Sequence, residues 1–142
     1  MAELLAGKRG STFVFTEHPP VYTLGMNCKE QEVMQPNEIA IVKTDRGGQI
    51  TYHGPGQIVI YVLLNLRRVQ WGVKRLVKEL EQIVIDLLSE HRIQALRQEG
   101  APGVYVEGKK VAALGLRVRR GCSYHGLAVN VDMTLAPFTR ID

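Results

Sequence analysis

Three stretches of this chain carry the residue types that handle a polar, activated substrate. The first runs from Arg46 to Gln57 and reads RGGQITYHGPGQ. Gly47 and Gly48 carry no side chain, so a ligand can come close to the backbone there, and their amides can converge on an acceptor oxygen. Gly54-Pro55-Gly56 makes a tight, stiff turn just after Tyr52 and His53. Strand alternation between the glycine clusters puts Gln49, Thr51 and His53 on one face and Ile50 and Tyr52 on the other. The result is one polar wall and one apolar wall. No Gly-Lys-Ser/Thr follows, which excludes a P-loop, and a strand follows where a dinucleotide fingerprint needs a helix. Two readings remain, a glycine-rich hairpin with its polar groups in water or a shaped site.

The second stretch is GKKVAALGLRVRR, from Gly108 to Arg120. A lysine drawn towards a pocket lowers the pKa of a nearby thiol or acid, whereas Lys109 and Lys110 at a turn are equally suited to plain solvation. Ala112 and Ala113 precede Leu114-Gly115, and small residues in mid-strand mark a place where something packs close. The third is CSYHGLAVNVD, from Cys122 to Asp132. His125 reads as a base or as a satisfied core histidine, with no carboxylate partner at a fixed spacing. His18, before two prolines, shapes a turn, and His91 suits a helix C-terminus. Cys28 and Cys122 lack the spacing of a zinc site or a disulfide framework.

These residues must be held by strands and one helix. STFVFTEHPPVYTLG reads as two short strands broken at His18-Pro19-Pro20, because proline supplies no ladder donor. EIAIVKTD reads as a buried strand of β-branched residues. QITYHG and QIVIYVLLNL follow, the second apolar enough to be covered on both faces. From about Trp71 to about His91 the period changes. Val73, Leu76, Val77, Leu80, Ile83, Val84, Leu87 and Leu88 recur at three and four, with Lys74, Arg75, Lys78, Glu79, Glu81, Gln82 and Asp86 between them. That pattern is an amphipathic helix lying on a sheet. GVYVEG and KKVAALGLRVRR form a hairpin turning at Glu107-Gly108 or Gly108-Lys109. In SYHGLAVNVDM, Leu127, Val129 and Val131 face one way and Ala128 and Asn130 the other. Strands, one long helix, then strands predict an α+β fold, with a mixed sheet and the helix on one face.

The 142 residues suit one domain. No run of eighteen apolar residues predicts a membrane span, and the start lacks the layout of a secretory signal. A reducing cytoplasm is the expected setting. The formal net charge of +4 favours acidic partners. Basic residues interleaved with aromatics are missing, which argues against nucleic acid. Arg67, Arg68, Lys74, Arg75, Arg117, Arg119 and Arg120 are candidates for a basic face.

RGGQITYHGPGQIVIY closely resembles the signature of the lipoyl(octanoyl) transferases. EHPPVYTLG upstream, GVYVEGKKVAALGLRVRRGCSYHGLAVNV downstream and the closing FTRID resemble the same family in the same order, from about Ser11 to Asp142. The resemblance implies a fold similar to the catalytic domain of biotin and lipoate protein ligases, a mixed β-sheet flanked by helices. It also implies an acyltransferase that needs no cofactor and no metal. An octanoyl group comes from octanoyl-acyl carrier protein and is held as a thioester on the enzyme's cysteine. It passes to a lysine on lipoyl domains of 2-oxoacid dehydrogenases or on the glycine-cleavage H protein. Carried over by motif, Arg46, Gly47, Gly48, Gln49, Ile50, Thr51, Tyr52 and His53 form the acyl-substrate loop. Ala113, Leu114 and Gly115 form a second contact segment, and Gly126, Leu127 and Ala128 a third. Lys110 matches the lysine that lowers the catalytic thiol's pKa, with handling of the acceptor amine's proton as a second role for it.

The sequence departs from the family at one place. There, Pro-Cys-Gly follows the Arg-Ile-Asp segment and supplies the nucleophile, but this chain stops at Asp142. Its first residues also match the middle of the family's N-terminal region. The expectation is a domain trimmed at both ends and inactive on its own. The alternatives are a catalytically dead acyl- or carrier-binding module of the same fold and, more remotely, a lipoate or biotin ligase.

Overall fold

The computed structural model describes residue 3, residues 10–28 and residues 38–141. Among these described residues, nine strands form two sheets. The larger has six strands in the order β1-β5-β9-β8-β7-β6. Its members are β1 (Thr12–Thr16), β5 (Gln57–Leu63), β6 (Leu96–Gln98), β7 (Ala101–Val106), β8 (Lys109–Arg119) and β9 (Cys122–Asn130). Every pairing within it is antiparallel. The smaller sheet holds β2 (Val21–Leu24) between β3 (Ala40–Lys43) and β4 (Ile50–His53). Its β2–β3 pair is parallel and its β2–β4 pair antiparallel, so the mixed character expected of the sheet is confined here. The two strands expected around His18-Pro19-Pro20 both exist, but they join different sheets. The proline pair sits where the chain crosses from one sheet to the other.

Two hairpins build the centre of the large sheet. Glu107 and Gly108 both have positive φ, as do Arg120 and Gly121, and each pair closes a two-residue turn of the type that matches strand twist. The first of the two expected turn positions is therefore the one used. Helix α1 (Val73–Glu90) starts at Gly72 and ends at His91, whose backbone N–H donates to Leu88 O, while the Arg92 N–H donates to Ser89 O. Leu76, Leu80 and Val84 carry its stripe into a core with Val62, Val104, Ala112 and Leu127. Burying each such side chain stabilises by about 1.5–3 kcal/mol.

Three expectations fail locally. Glu81, expected on the polar face, is buried; its Oε1 accepts from Gly103 N at 2.9 Å and its Oε2 pairs with Arg97 Nε at 3.0 Å. Strand β3 is exposed at every residue, because it is an edge strand of the small sheet. β5 is not covered on both faces, since Ile58 stays 42% exposed. A second core gathers Tyr22, Leu24, Ile50 and Tyr52, with Met133, Phe138 and Ile141 packed against it. Phe138 lies in a 3-10 helix (Ala136–Arg140) and meets Tyr52 edge-on, ring centroids 5.6 Å apart. Tyr22 donates its hydroxyl proton to Pro137 O at 2.9 Å, tying the chain's last part to the small sheet.

Candidate active site

Strand register fixes which side chains share the face of the large sheet turned away from α1. Leu114 is paired with Leu127, and both belong to the core under the helix. Their neighbours therefore point the other way. Ala113 is directly opposite Ala128, and Gly115 opposite Gly126. Ala128 in turn pairs with Val59 and Gly126 with Tyr61. The result is a floor of small residues on β8 and β9, bordered on β5 by Val59 and Tyr61. One row further along, Gln57 pairs with Asn130 and makes the end of the floor polar. Of the six residues expected from β8 and β9, four form the floor. The side chains of Leu114 and Leu127 lie behind it.

Lys110 reaches this face only because β8 is irregular. Simple alternation would put it on the same side as Ala112, in the core. However, Ala112 pairs with Val104 and Lys110 with Tyr105, adjacent residues on β7, so Val111 is an extra residue in the ladder. Bulges of this kind re-aim a side chain. Val104 is buried in the core, so Lys110 sits with Tyr105 on the opposite face, the face of Ala113 and Gly115. Its ammonium stands 5.4 Å from the Tyr105 ring centroid and its side chain is exposed. The polar row of Gln57 and Asn130 and the bulged lysine thus lie at one end of the floor.

The loop before β4 closes the other end. Arg46 is 8% exposed, and its guanidinium donates to Thr23 O at 2.6 Å, Thr23 Oγ1 at 2.9 and 3.0 Å, and Gly47 O at 3.0 Å. Burial pushes its pKa below the usual arginine value. Arg46 therefore holds the loop to β2. Gly47 donates its amide to Leu116 O at 3.2 Å, so this amide is engaged within the protein. A Cβ on Gly47 would come within 2.8 Å of Leu116 O, and one on Gly115 within 3.1 Å of Arg46 Cδ. These two glycines let the loop lie on β8, a packing reason distinct from the ligand approach expected for them. Gly48 has φ +87, and its carbonyl accepts from Asn27 N. Gln49 is exposed, Thr51 half-buried, and Ile50 and Tyr52 belong to the second core. The apolar wall thus faces inward to the small sheet.

His125 has the carboxylate partner that no local spacing revealed. Its Nε2 is 2.7 Å from Asp45 Oδ1, eighty residues away in sequence. Tyr124 donates its hydroxyl proton to Asp45 Oδ2 at 2.6 Å, and Arg117 Nη1 lies 3.2 Å from the same oxygen. The Tyr124 bond first, then the His125 bond, holds the Asp45 carboxyl down at about 2. His125 has φ 60, a left-handed conformation that is costly for a residue with a Cβ. The cluster fastens the residue before Arg46 onto β8 and β9.

Two histidines bond to polar side chains of β5, His53 to Gln57 at the polar end and His18 to Tyr61 two rows away. His53 Nδ1 is 2.7 Å from Gln57 Oε1, and His18 Nε2 is 2.8 Å from the Tyr61 hydroxyl. The two imidazole centroids are 5.9 Å apart. His18 thus does more than shape a turn. Neither cysteine is disulfide-bonded. Cys122 is eight residues from Asn130 along β9, roughly 26 Å at strand rise. Cys28 lies by Gly25 and Thr44 in a cleft of about 230 Å³ at the Arg46 end. Among the described residues no cluster of ligating side chains could hold a metal, and no helix is long and apolar enough to cross a membrane.

A six-stranded antiparallel sheet backed by a helix, a smaller mixed sheet beside it and a glycine-rich loop between the two define a class, and comparison identifies it. The chain belongs to the lipoyl protein ligase A/B catalytic domain family, whose description matches residues 1–142. Over 125 residues it is 62% identical to an octanoyltransferase of Alkalilimnicola ehrlichii, covering 88% of this chain and 58% of that one. It is 60% identical over 126 residues to an octanoyltransferase of Thiobacillus denitrificans, covering 89% and 58%. The chain thus spans a little under three-fifths of the length of these relatives. The fold is shared with a bi-partite lipoate protein ligase of Thermoplasma acidophilum, with a TM-score of 0.77 at 17% identity over 98% of this chain and 58% of that one. It is also shared with LipL1 of Plasmodium falciparum, solved with lipoate, with a TM-score of 0.75 at 12% identity over 99% and 43%.

Proposed function

We propose that this chain forms the acyl-binding body of an octanoyltransferase. It carries an octanoyl group from octanoyl-acyl carrier protein to the lysine of a lipoyl domain or the glycine-cleavage H protein, in the cytoplasm. One observation carries this reading: a floor of small residues, Ala113, Gly115, Gly126 and Ala128, ends at a polar row beside Lys110. An apolar chain laid on such a floor gains about 0.8 kcal/mol per buried methylene. Its thioester end then falls beside a lysine whose charge favours a thiolate. The names of the closely similar relatives agree with this chemistry. The donor is already activated, so no nucleotide is required.

As the resemblance implies, the nucleophile is the cysteine of a Pro-Cys-Gly segment after the Arg-Ile-Asp motif, and neither Cys28 nor Cys122 takes its place. Cys28 and Cys122 lie away from the Lys110 end, which supports this. Incubation with octanoyl-acyl carrier protein followed by mass spectrometry tests both statements. The expected result is a hydroxylamine-sensitive octanoyl adduct on protein extended through that cysteine, and none on residues 1–142. An adduct on the shorter chain overturns the second statement. Failure of the extended protein to acylate favours the alternative, a binding module without catalysis.

A further inference from the structure

We infer that Arg46 and Gly47 are the end stop of the floor and set the length of acyl chain it takes, a role nothing so far assigns to them. This rests on the octanoyl-transfer reading above and deepens it. Gly115 belongs to the floor, since it shares a face of β8 with Ala113. A Cβ there would meet Arg46 Cδ at 3.1 Å, Gly47 O at 3.3 Å and Arg46 Cγ at 3.8 Å. Carbon atoms in contact stand about 3.5–4 Å apart, so no methylene fits between this strand and the Arg46 stem. The floor is therefore shut at the row of Gly115 and Gly126. Its free length runs from there to the polar row of Gln57 and Asn130.

This free length fits one acyl chain. Asn130 to Gly126 is four residues along β9, about 14 Å at strand rise. A terminal methyl must stop about 4 Å short of the Arg46 stem, which leaves about 10 Å. An octanoyl group with its carbonyl carbon level with Asn130 has seven carbon–carbon bonds of about 1.5 Å, and its zigzag spans about 9 Å. Two further methylenes add about 2.5 Å and run into Arg46. Beyond Arg46 the protein is not solid. The cleft of about 230 Å³ by Gly25 and Thr44 lies there, and a Cβ on Gly25 would meet Arg46 Nη1 at 2.8 Å. Arg46 thus stands between the floor and this cleft, with its stem on Gly115 and its head beside Gly25.

The stop is fastened on both sides. The guanidinium donates to Thr23 on β2 and to the Gly47 carbonyl, and the Gly47 amide donates to Leu116 O on β8. Asp45, one residue before, is bonded to Tyr124 and His125 and paired with Arg117. With its head turned to β2, Arg46 offers the chain only Cγ and Cδ, so a methyl end meets methylenes. Loosening Asp45 frees the loop to lift from Gly115 and opens the way to the cleft.

The test is a titration of the chain with hexanoate, octanoate and decanoate, followed by NMR at the Ala113 and Ala128 amides. Two methylenes buried on the floor tighten binding about fifteen-fold. That gain should separate octanoate from hexanoate, whereas decanoate should gain less than about twofold over octanoate. Asp45→Ala should raise the preference for decanoate over octanoate by about tenfold and leave that for octanoate over hexanoate unchanged. Tyr124→Phe removes one hydrogen bond of the clamp and should raise the decanoate preference by about fivefold. A further fifteen-fold gain at decanoate in the unaltered chain, or a preference unmoved in both variants, overturns the stop alone. Shifts at neither amide with any of the three acids overturn the octanoyl reading, and the stop with it.

Discussion

Asp45→Ala should release the loop before β4 without unfolding the protein. Asp45 accepts one hydroxyl hydrogen bond from Tyr124 and meets His125 and Arg117 at 2.7 and 3.2 Å, while its side chain remains 51% exposed. A net hydrogen bond contributes about 1 kcal/mol, and each water-screened charged contact about 0.2–1 kcal/mol. Together these give about 1.4–3 kcal/mol of loop docking, a factor of about 10–150 in local opening. The readout is hydrogen exchange at the Gly47 amide, bonded to Leu116 O, and the Met26 amide, bonded to Arg46 O. Both should exchange faster in the variant by that factor at pH 6, while the Leu66 amide, bonded to Gly121 O, is unaffected. The pH dependence has a definite sign. The folded carboxyl titrates at about 2 against an ordinary 3.8. The stabilisation is therefore complete above pH 3.8 and disappears as pH falls through 2. Wild type and variant should converge there. A difference under twofold at pH 6, or one that persists unchanged at pH 2, refutes the clamp.

Ser123→Ala should lower the unfolding free energy by about 2–4 kcal/mol in urea titration. Its fully buried hydroxyl donates to Val62 O and accepts from Leu64 N, and both groups lose that partner. Gly126→Ala should destabilise by about 2–3 kcal/mol in the same assay, because the added methyl runs into the Ile60 carbonyl on β5. Lys110→Ala, at an exposed position, should leave stability within about 0.5 kcal/mol. Octanoyl transfer by the extended protein should nevertheless collapse, and near-normal turnover would remove Lys110 from the mechanism.

Much of this site is readable one strand at a time. Alternation separates Ala113 from Leu114 and Ala128 from Leu127, and the helical period of α1 marks the side that the leucines must face. What alternation misreads is Lys110. A bulge at Val111 is a property of the β7–β8 pairing, and no single strand announces it. The Asp45–His125 contact is invisible for a similar reason, since eighty residues separate partners that only the docked loop brings together. Gly47 and Gly115 are conspicuous as glycines, but their reason, mutual packing, needs both strands in place. Glu81 looks like any exposed helix acid until β7 presents the Gly103 amide to it.

The division into two sheets has a consequence for how the site comes into being. The floor is built from β8 and β9, and β7 sets the bulged lysine beside it; these are consecutive strands joined by two-residue turns, and such local pairings form early and fast. The walls are different. His18 reaches Tyr61 across 43 residues, and Tyr22 reaches Pro137 across 115. Each such closure carries a larger entropic penalty before any contact repays it. The lysine is therefore in position while the histidines are still being gathered. A chain that frays at either end keeps the floor but loses the histidines that stand beside it.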